Sequence, residues 1–293
     1  MNRLEILKTY KIYIGGQFPR TESGRSYQPL NSAGKPLANM CLSSRKDVRN
    51  AVVAARKAFG TWSERSAFNR GQILYRIAEM LESRKTQFVE ELVAQGSTKD
   101  LAEMEVHLSI DRIVYYAGWC DKYQQVMSSV NPVASSHFNF SVAEPMGVVG
   151  MHAPADTSLI GLISLLMPIL VGGNTAVVIA SEQLPLCAIT FAEVLNSSDV
   201  PAGVVNILTG KHEELKGILV AHMDVNAIVY GGDDSVFIQE LETAAIGNLK
   251  RTFAYAKNWM DENAQDMHCI ADLQEIKTTW HPIEHIGGAT SSY

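Results

Sequence analysis

The stretch EPMGVVGMHAPADTSLIGLISLLMPILVGGNTAVVIASEQLPLCAITFAEVLNSSDVPAGVVNILTG, Glu144 to Gly210, decides the fold. It reads as strand, helix, strand, helix, strand, with a turn signal at every junction. Met146–Met151 is a short apolar run between Pro145 and a turn at Pro154–Asp156. Leu159–Val171 is apolar on all sides, long enough for a buried helix, and stopped by Gly172-Gly173-Asn174. Thr175–Ile179 has the β-branched content of a buried parallel strand. Pro185–Asn196 predicts the next helix, Pro201-Ala202-Gly203 a turn, and Val204–Leu208 a third strand. Parallel strands need crossovers that cover both faces, so the class is α/β, a doubly wound Rossmann-like parallel sheet. Ligands on such sheets sit beyond the carboxyl ends of the strands. The loops Ala153–Ser158, Ala180–Pro185 and Tyr230–Ser235 are therefore where a site is sought.

Outward from this core, Tyr10–Ile14 predicts a strand and Asp47–Gly60 an amphipathic helix. Phe68–Ala94 predicts two helices broken near Ser83, and Lys99–Val126 one long helix. His107 and Asp111 lie one turn apart there, a spacing that fits a solvated face better than a metal pair. Within Val130–Ala143, His137–Val142 alternates polar and apolar residues, as does Glu275–His281, the mark of half-buried antiparallel strands. A small sheet with one apolar face needs a cover, either the body of the chain or another subunit. Ala227–Tyr230 predicts a strand, Ser235–Ala245 a helix, Thr252–Tyr255 a last strand of the body, and Asn258–Asp272 a polar helical link.

A chain of 293 residues with 46% hydrophobic and 19% charged residues is an ordinary globular protein with room for a large core. A net charge of −6 argues against nucleic acid or an anionic membrane as partner. Leu159–Val171 is too short to span a membrane, and MNRLEILKTYKIY lacks the apolar core of a signal peptide. Cys41, Cys120, Cys187 and Cys269 are scattered, as expected of reduced thiols in a cytoplasmic protein.

The motifs EPxGVVG with the following Pro154, GGNTxVV with SEQxPL, and PxGVVNxLTG resemble the nucleotide-binding half of NAD(P)-dependent aldehyde dehydrogenases. YIGGQ at Tyr13–Gln17 extends the resemblance toward the N-terminus, and it runs to about Arg251. It implies a nucleotide-binding unit from residues 1–126 and 144–257. It also implies an oligomerisation β arm from 127–143 and 274–293, and a link, 258–273, where the catalytic domain is missing.

Catalysis in that family uses a thiolate nucleophile, a glutamate base and an oxyanion hole that includes a side-chain amide. Cys269 is the only late cysteine, and its surroundings do not match the nucleophile loop. Ala256-Lys257-Asn258 stands where the base would be. Counting from Pro154, Asp156 takes the place of the amide. Removing such a donor costs about 3–4 kcal/mol, and a carboxylate repels the oxyanion besides. Followed by Thr157-Ser158, Asp156 reads instead as the cap of helix Leu159–Val171.

In the cofactor site, Ile179 replaces the lysine that holds the ribose, while its companion Glu182 remains and reads as a cap for the helix near Leu184. Gly231 and Gly232 keep the turn where the pyrophosphate would rest, but Asp233 and Asp234 follow at the helix end. No cofactor is expected to bind tightly, with NAD or NADP the candidates if any does. Joint loss of nucleophile, base, amide and lysine resembles the degenerate second module of the two-module (family 16) aldehyde dehydrogenases. That module also carries NLKR and an IKT-W strand, as at Asn248–Arg251 and Ile276–Trp280. The expected function is a non-catalytic pseudoenzyme module, a homo-oligomer or the partner of a full-length aldehyde dehydrogenase. The alternatives are an NAD(P)-dependent oxidoreductase acting on aldehydes with a catalytic domain from another chain, or a binding module that reuses the cleft.

Overall fold

The computed structural model describes residues 6–283. Residues 1–5 of the expected nucleotide-binding unit and 284–293 of the expected arm lie outside the described residues. Three short strands, β1 (Thr9–Tyr10), β2 (Ser26–Tyr27) and β3 (Asn39–Cys41), open the chain as a small sheet. A helical run follows: α1 (Arg45–Ser63), α2 (Ala67–Ser83), α3 (Lys85–Ala94), α4 (Lys99–Ala117) and α5 (Tyr123–Met127). Next come β4 (Ser129–Asn131), β5 (His137–Pro145), β6 (Val148–His152), α6 (Ile160–Val171), β7 (Thr175–Ile179) and α7 (Leu186–Asn196). The chain continues through β8 (Val205–Leu208), α8 (His212–Val220), β9 (Ala227–Tyr230), α9 (Ser235–Ala245) and β10 (Arg251–Ala254). A one-turn helix, α10 (His268–Ala271), and the long strand β11 (Gln274–Pro282) complete it.

Five parallel strands form one sheet in the order β10-β9-β6-β7-β8. Alternation along each strand builds two cores. Val149, Met151, Ala176, Val178 and Val229 face the side covered by α2, α3, α4, α6 and α7. Val148, Val177, Ile179, Leu208 and Ile228 face the side covered by α1, α8 and α9. The winding reverses between β6 and β9. Their carboxyl ends therefore open the crevice where this kind of sheet takes a ligand.

Four expectations change. The strand expected at Tyr10–Ile14 is split: β1 pairs with β3, and Tyr13 then exchanges two backbone hydrogen bonds with Ile207 on β8. The long helix expected to Val126 stops at Ala117, where α4 crosses α2 so closely that a Cβ on Gly71 would lie 3.2 Å from the Ala117 carbonyl. Helix α8 is additional to the expected elements, although Leu215, Leu219 and Val220 are spaced for one buried face. The link expected to be helical holds only a 3₁₀ turn, Glu262–Ala264, and α10. Asn258, Asp261 and Asp266 accept bonds from the backbone two residues on, which competes with helix formation.

That link nevertheless docks firmly. Trp259, Ala264, Ile270 and Leu273 join the larger core. Arg112, 2% exposed on α4, donates to the carbonyls of Asp261 at 2.9 Å and Trp259 at 3.4 Å, and to Ser164 Oγ at 2.7 Å. Tyr116 Oη accepts from Asp266 N–H and donates to its carbonyl. Burial lowers the Arg112 pKa, and nearby Tyr116 and Asp261 oppose that fall.

The arm strands pair as expected. β11 runs antiparallel to β5 from Gln274↔Pro145 to Pro282↔His137, and β4 covers the other edge. His107 and Asp111 stand exposed on α4. Replacing Arg112 by Leu should lower stability by about 3 kcal/mol, because two carbonyls and a serine lose their buried donor. Urea unfolding measures the loss, and the link should become the first site of limited proteolysis.

Candidate cofactor crevice

The crevice is built from the ends of β6, β7 and β9. Pro154 packs directly on Gly231: a Cβ there would lie 2.6 Å from Pro154 Cγ and 2.8 Å from Leu165 Cδ1. Only glycine permits that approach. At Gly232 a Cβ would lie 2.5 Å from Tyr230 Oη, so the tyrosine ring lies over the turn. Asp234 caps α9, accepting from Val236 N–H at 3.0 Å and Phe237 N–H at 3.3 Å. Asp233 is exposed beside it. The positive end of α9 is thus met by the chain's own carboxylate.

Phe237, 6% exposed on α9, closes the space between α8 and α9. Its ring sits edge-on to Tyr230 at 4.6 Å and His152 at 5.1 Å between centroids. Lys216 on α8 lies over the same ring at 5.3 Å and bridges Glu240 of α9 at 2.8 Å and Glu213 at 3.1 Å. Hydrogen bonds to these two carboxylates raise the Lys216 pKa, so the cation stays charged across the gap.

Two expected caps are corrected. Asp156 does not cap helix α6; it is exposed, and α6 takes no side-chain cap from its own N-terminal residues. The buried Glu105 of α4 takes that place, its Oε1 accepting from Leu159 N–H at 2.9 Å and Ile160 N–H at 3.1 Å. Desolvation raises the Glu105 pKa; the two backbone donors oppose that rise, and the Asp156 charge adds to it. Nor does Glu182 cap the helix near Leu184. Its Oε2 accepts from His212 N–H at 3.0 Å, at the start of α8, while Gln95 Oε1 accepts from Leu186 N–H at the start of α7. Ile179 is fully buried in the core on the α1 and α8 side.

The structure thus brings Pro154, Gly231, Gly232 and Asp233 to one crevice, with Asp156 on the neighbouring loop. Ile179 and Glu182 are engaged elsewhere, one in the core and one on α8. Sequence reading misses Glu105, His152 and Phe237. Glu105 does carry a signal, because it falls in the buried stripe of α4 with Ala102, Val106 and Ser109. The four cysteines are free and buried. Burial pushes the Cys120 thiol up to about 12 and raises those of Cys187 and Cys269. These three are thiols, not thiolates, at neutral pH. Among the described residues no group of three or more His, Cys, Asp or Glu is placed to hold a metal ion.

The aldehyde dehydrogenase family profile matches residues 19–255. The chain belongs to the aldehyde dehydrogenase family. Cytosolic 10-formyltetrahydrofolate dehydrogenase of Xenopus laevis is 32% identical over 257 residues, covering 86% of this chain and 28% of the relative. The NAD+ complex of an aldehyde dehydrogenase from Bacillus cereus superposes with a TM-score of 0.80 at 26% identity, over 84% of this chain and 50% of that one. HpcC from Thermus thermophilus gives 0.80 at 27% identity, over 84% and 48%. The chain therefore spans about half the length of these solved aldehyde dehydrogenases and less of the Xenopus relative. No helix among the described residues is long and apolar enough to cross a membrane.

His152, at the end of β6, is fully buried, and neither ring nitrogen has a hydrogen-bond partner. Burial, with His212 and Lys216 nearby, lowers its pKa to about 3. The unfolded chain binds this proton near pH 6.5, well before the folded chain does. The contribution to stability is complete above pH 6.5 and is lost as pH falls toward 3. Between pH 7 and pH 5 the loss is about 2 kcal/mol. Urea midpoints should show this drop in the native chain and a smaller one in His152→Leu.

Proposed function

We propose that this chain is a non-catalytic module of the aldehyde dehydrogenase family that acts through assembly, with itself or with a complete aldehyde dehydrogenase. The observation that carries the reading is Asp234 on the N-terminus of α9. Free N–H groups and the helix dipole make such an end a phosphate seat, and here a carboxylate already takes both donors. Tyr230 over Gly232 and Phe237 between α8 and α9 leave little room for a dinucleotide. The residues present do not fit NAD or NADP. Asp156 cannot donate a hydrogen bond to an oxyanion. Thiol pKa values raised by burial at Cys120, Cys187 and Cys269 support the same conclusion.

The functional likeness that fits these features is the second module of the two-module aldehyde dehydrogenases, with the docked link in place of a catalytic domain. The Xenopus relative is named as cytosolic, and we place this chain in the same compartment. The test is direct. Purified chain, a panel of aldehydes, and NAD or NADP should yield no reduced cofactor, and titration calorimetry should show no heat at millimolar cofactor. Turnover would sink the proposal. Cofactor binding without turnover would favour a second reading, a half-enzyme completed by a catalytic domain from another chain. The exposed outer edge of β10, at Arg251 and Ala254, is what supports that alternative.

Assembly is assigned to the arm. Val130, Phe138, Phe140 and Val142 share one face of the β4-β5-β11 sheet, with Val130 68% and Phe138 45% exposed. An apolar face of this kind is stable in water when covered. Light scattering should find an oligomer for the native chain, and Phe138→Asp should shift it toward monomer, with an unfolding midpoint that is lower than the native one and no longer depends on protein concentration.

A further inference from the structure

Four cysteines are buried, and among the described residues one of them has an amine against it. Lys257 Nζ lies 3.8 Å from Cys269 Sγ. The ammonium is fixed there by the Ala264 carbonyl at 3.3 Å and by Asp266 Oδ2 at 3.9 Å. Cys41, Cys120 and Cys187 have no such neighbour: Cys120 Sγ contacts the Tyr116 carbonyl and Cys187 Sγ the Gln95 amide. Cys269 is 6% exposed, whereas the Lys257 side chain beside it is 25% exposed. Lys257 immediately precedes the link of residues 258–273, and Cys269 lies within it on α10.

We propose that Cys269 and Lys257 form a reversible oxidative cross-link, a sulfur–nitrogen bond made when a peroxide reaches the site. In the first step the Cys269 thiol loses its proton to solvent and its sulfur attacks one peroxide oxygen. The O–O bond breaks, water leaves, and Cys269 becomes a sulfenic acid. In the second step the Lys257 amine, having given a proton to solvent or to Asp266, attacks that sulfur. The S–OH bond breaks and a second water leaves. Thiol, amine and hydrogen peroxide thus become one Sγ–Nζ bond and two waters. The sulfur is oxidised by two electrons and the peroxide is reduced. An external thiol reverses the link by attacking the sulfur and releasing the amine.

Burial raises the Cys269 pKa, and the Lys257 cation pulls it part of the way back. The first step therefore gains speed as pH rises and the thiolate forms. The position of the amine gives the second step its selectivity. A sulfenic acid without a nearby nucleophile proceeds to sulfinic acid, and one held against an amine is captured. The bond would staple the start of the link to α10, adding a covalent tie to the one Arg112 makes.

The experiment treats the whole protein with hydrogen peroxide, unfolds it without reductant and digests it with trypsin. A linked Lys257 resists cleavage. The expected product is the fragment Thr252–Lys277 uncut at Lys257, lighter by about two hydrogens and cut again after dithiothreitol. Methionine oxidation at Met260 or Met267 adds oxygen and leaves the Lys257 cut intact, so it is not confused with the link. Lys257→Arg and Cys269→Ser should each abolish the product, and unfolding midpoints of both variants check that the fold survives. Cys269 converted to sulfinic acid with Lys257 still cut would overturn the proposal. So would an unmodified Cys269 at doses that oxidise the two methionines.

Discussion

The rest of the structure depends on the polar seam between α4 and α6. Both helices are buried there, and α6 is apolar throughout, so its free N-terminal N–H groups have no water to turn to. Glu105 supplies the acceptor, and one heptad later Arg112 supplies a donor. Ser164 joins them, taking a bond from Arg112 and giving one to the Ile160 carbonyl at 2.6 Å. A carboxylate and a guanidinium in such a place are costly to bury. They are held because each meets buried partners, Glu105 the free N–H groups and dipole of α6 and Arg112 two carbonyls and the Ser164 hydroxyl. The seam fixes where α6 starts, and hence where the loop from β6 to α6 runs. It also fixes the link, because Arg112 reaches through to Trp259 and Asp261. One pair of charged residues thus positions both the crevice and the segment that seals the body.

In the crevice, the chain's own side chains contact the glycine turn and the N-terminus of α9. The glycine turn is kept, since Gly231 must let Pro154 approach, and that constraint belongs to packing rather than to catalysis. The helix end is kept as well, but its donors are satisfied by Asp234. Aromatic rings and the Lys216–Glu240 bridge hold α8 and α9 together across the space between them. Each contact is stabilising locally. Together these contacts tie α8 and α9 to each other and to the end of the sheet.

Much of this is legible in the sequence, for reasons that differ by element. The parallel strands are plain because they are buried on both faces and carry unbroken apolar runs, as at Thr175–Ile179. The arm strands are plain because alternation survives in a sheet covered on one side, as at His137–Val142. The link misleads because Asn258, Asp261 and Asp266 satisfy the backbone locally, an effect that composition does not display. The caps mislead for a related reason. Asp156 and Glu182 are near helix starts in sequence, but the groups that reach those starts, Glu105 and Gln95, come from 54 and 91 positions away. Local patterns identify which helix ends need a partner; they do not say which distant side chain will arrive first.

The link decides between two accounts of the missing half. A nucleotide-binding unit cut from its catalytic partner would expose apolar surface on the flank of α4 and α6. Here that flank is covered by Trp259, Ala264, Ile270 and Leu273, and the covering segment is tied down by Arg112 and Tyr116. Tyr255 adds a further tie, donating to Asp272 at 2.6 Å where the link turns toward β11. A segment that fills its own core and satisfies buried donors from α4 has been fitted to this body. The crevice is closed in a similar way: Phe237 packs against Tyr230 and His152, and Asp234 accepts from two backbone donors of α9. In both regions the chain's own residues meet the buried polar groups and fill the apolar space, and the consistency of the two is what gives a stable, closed scaffold.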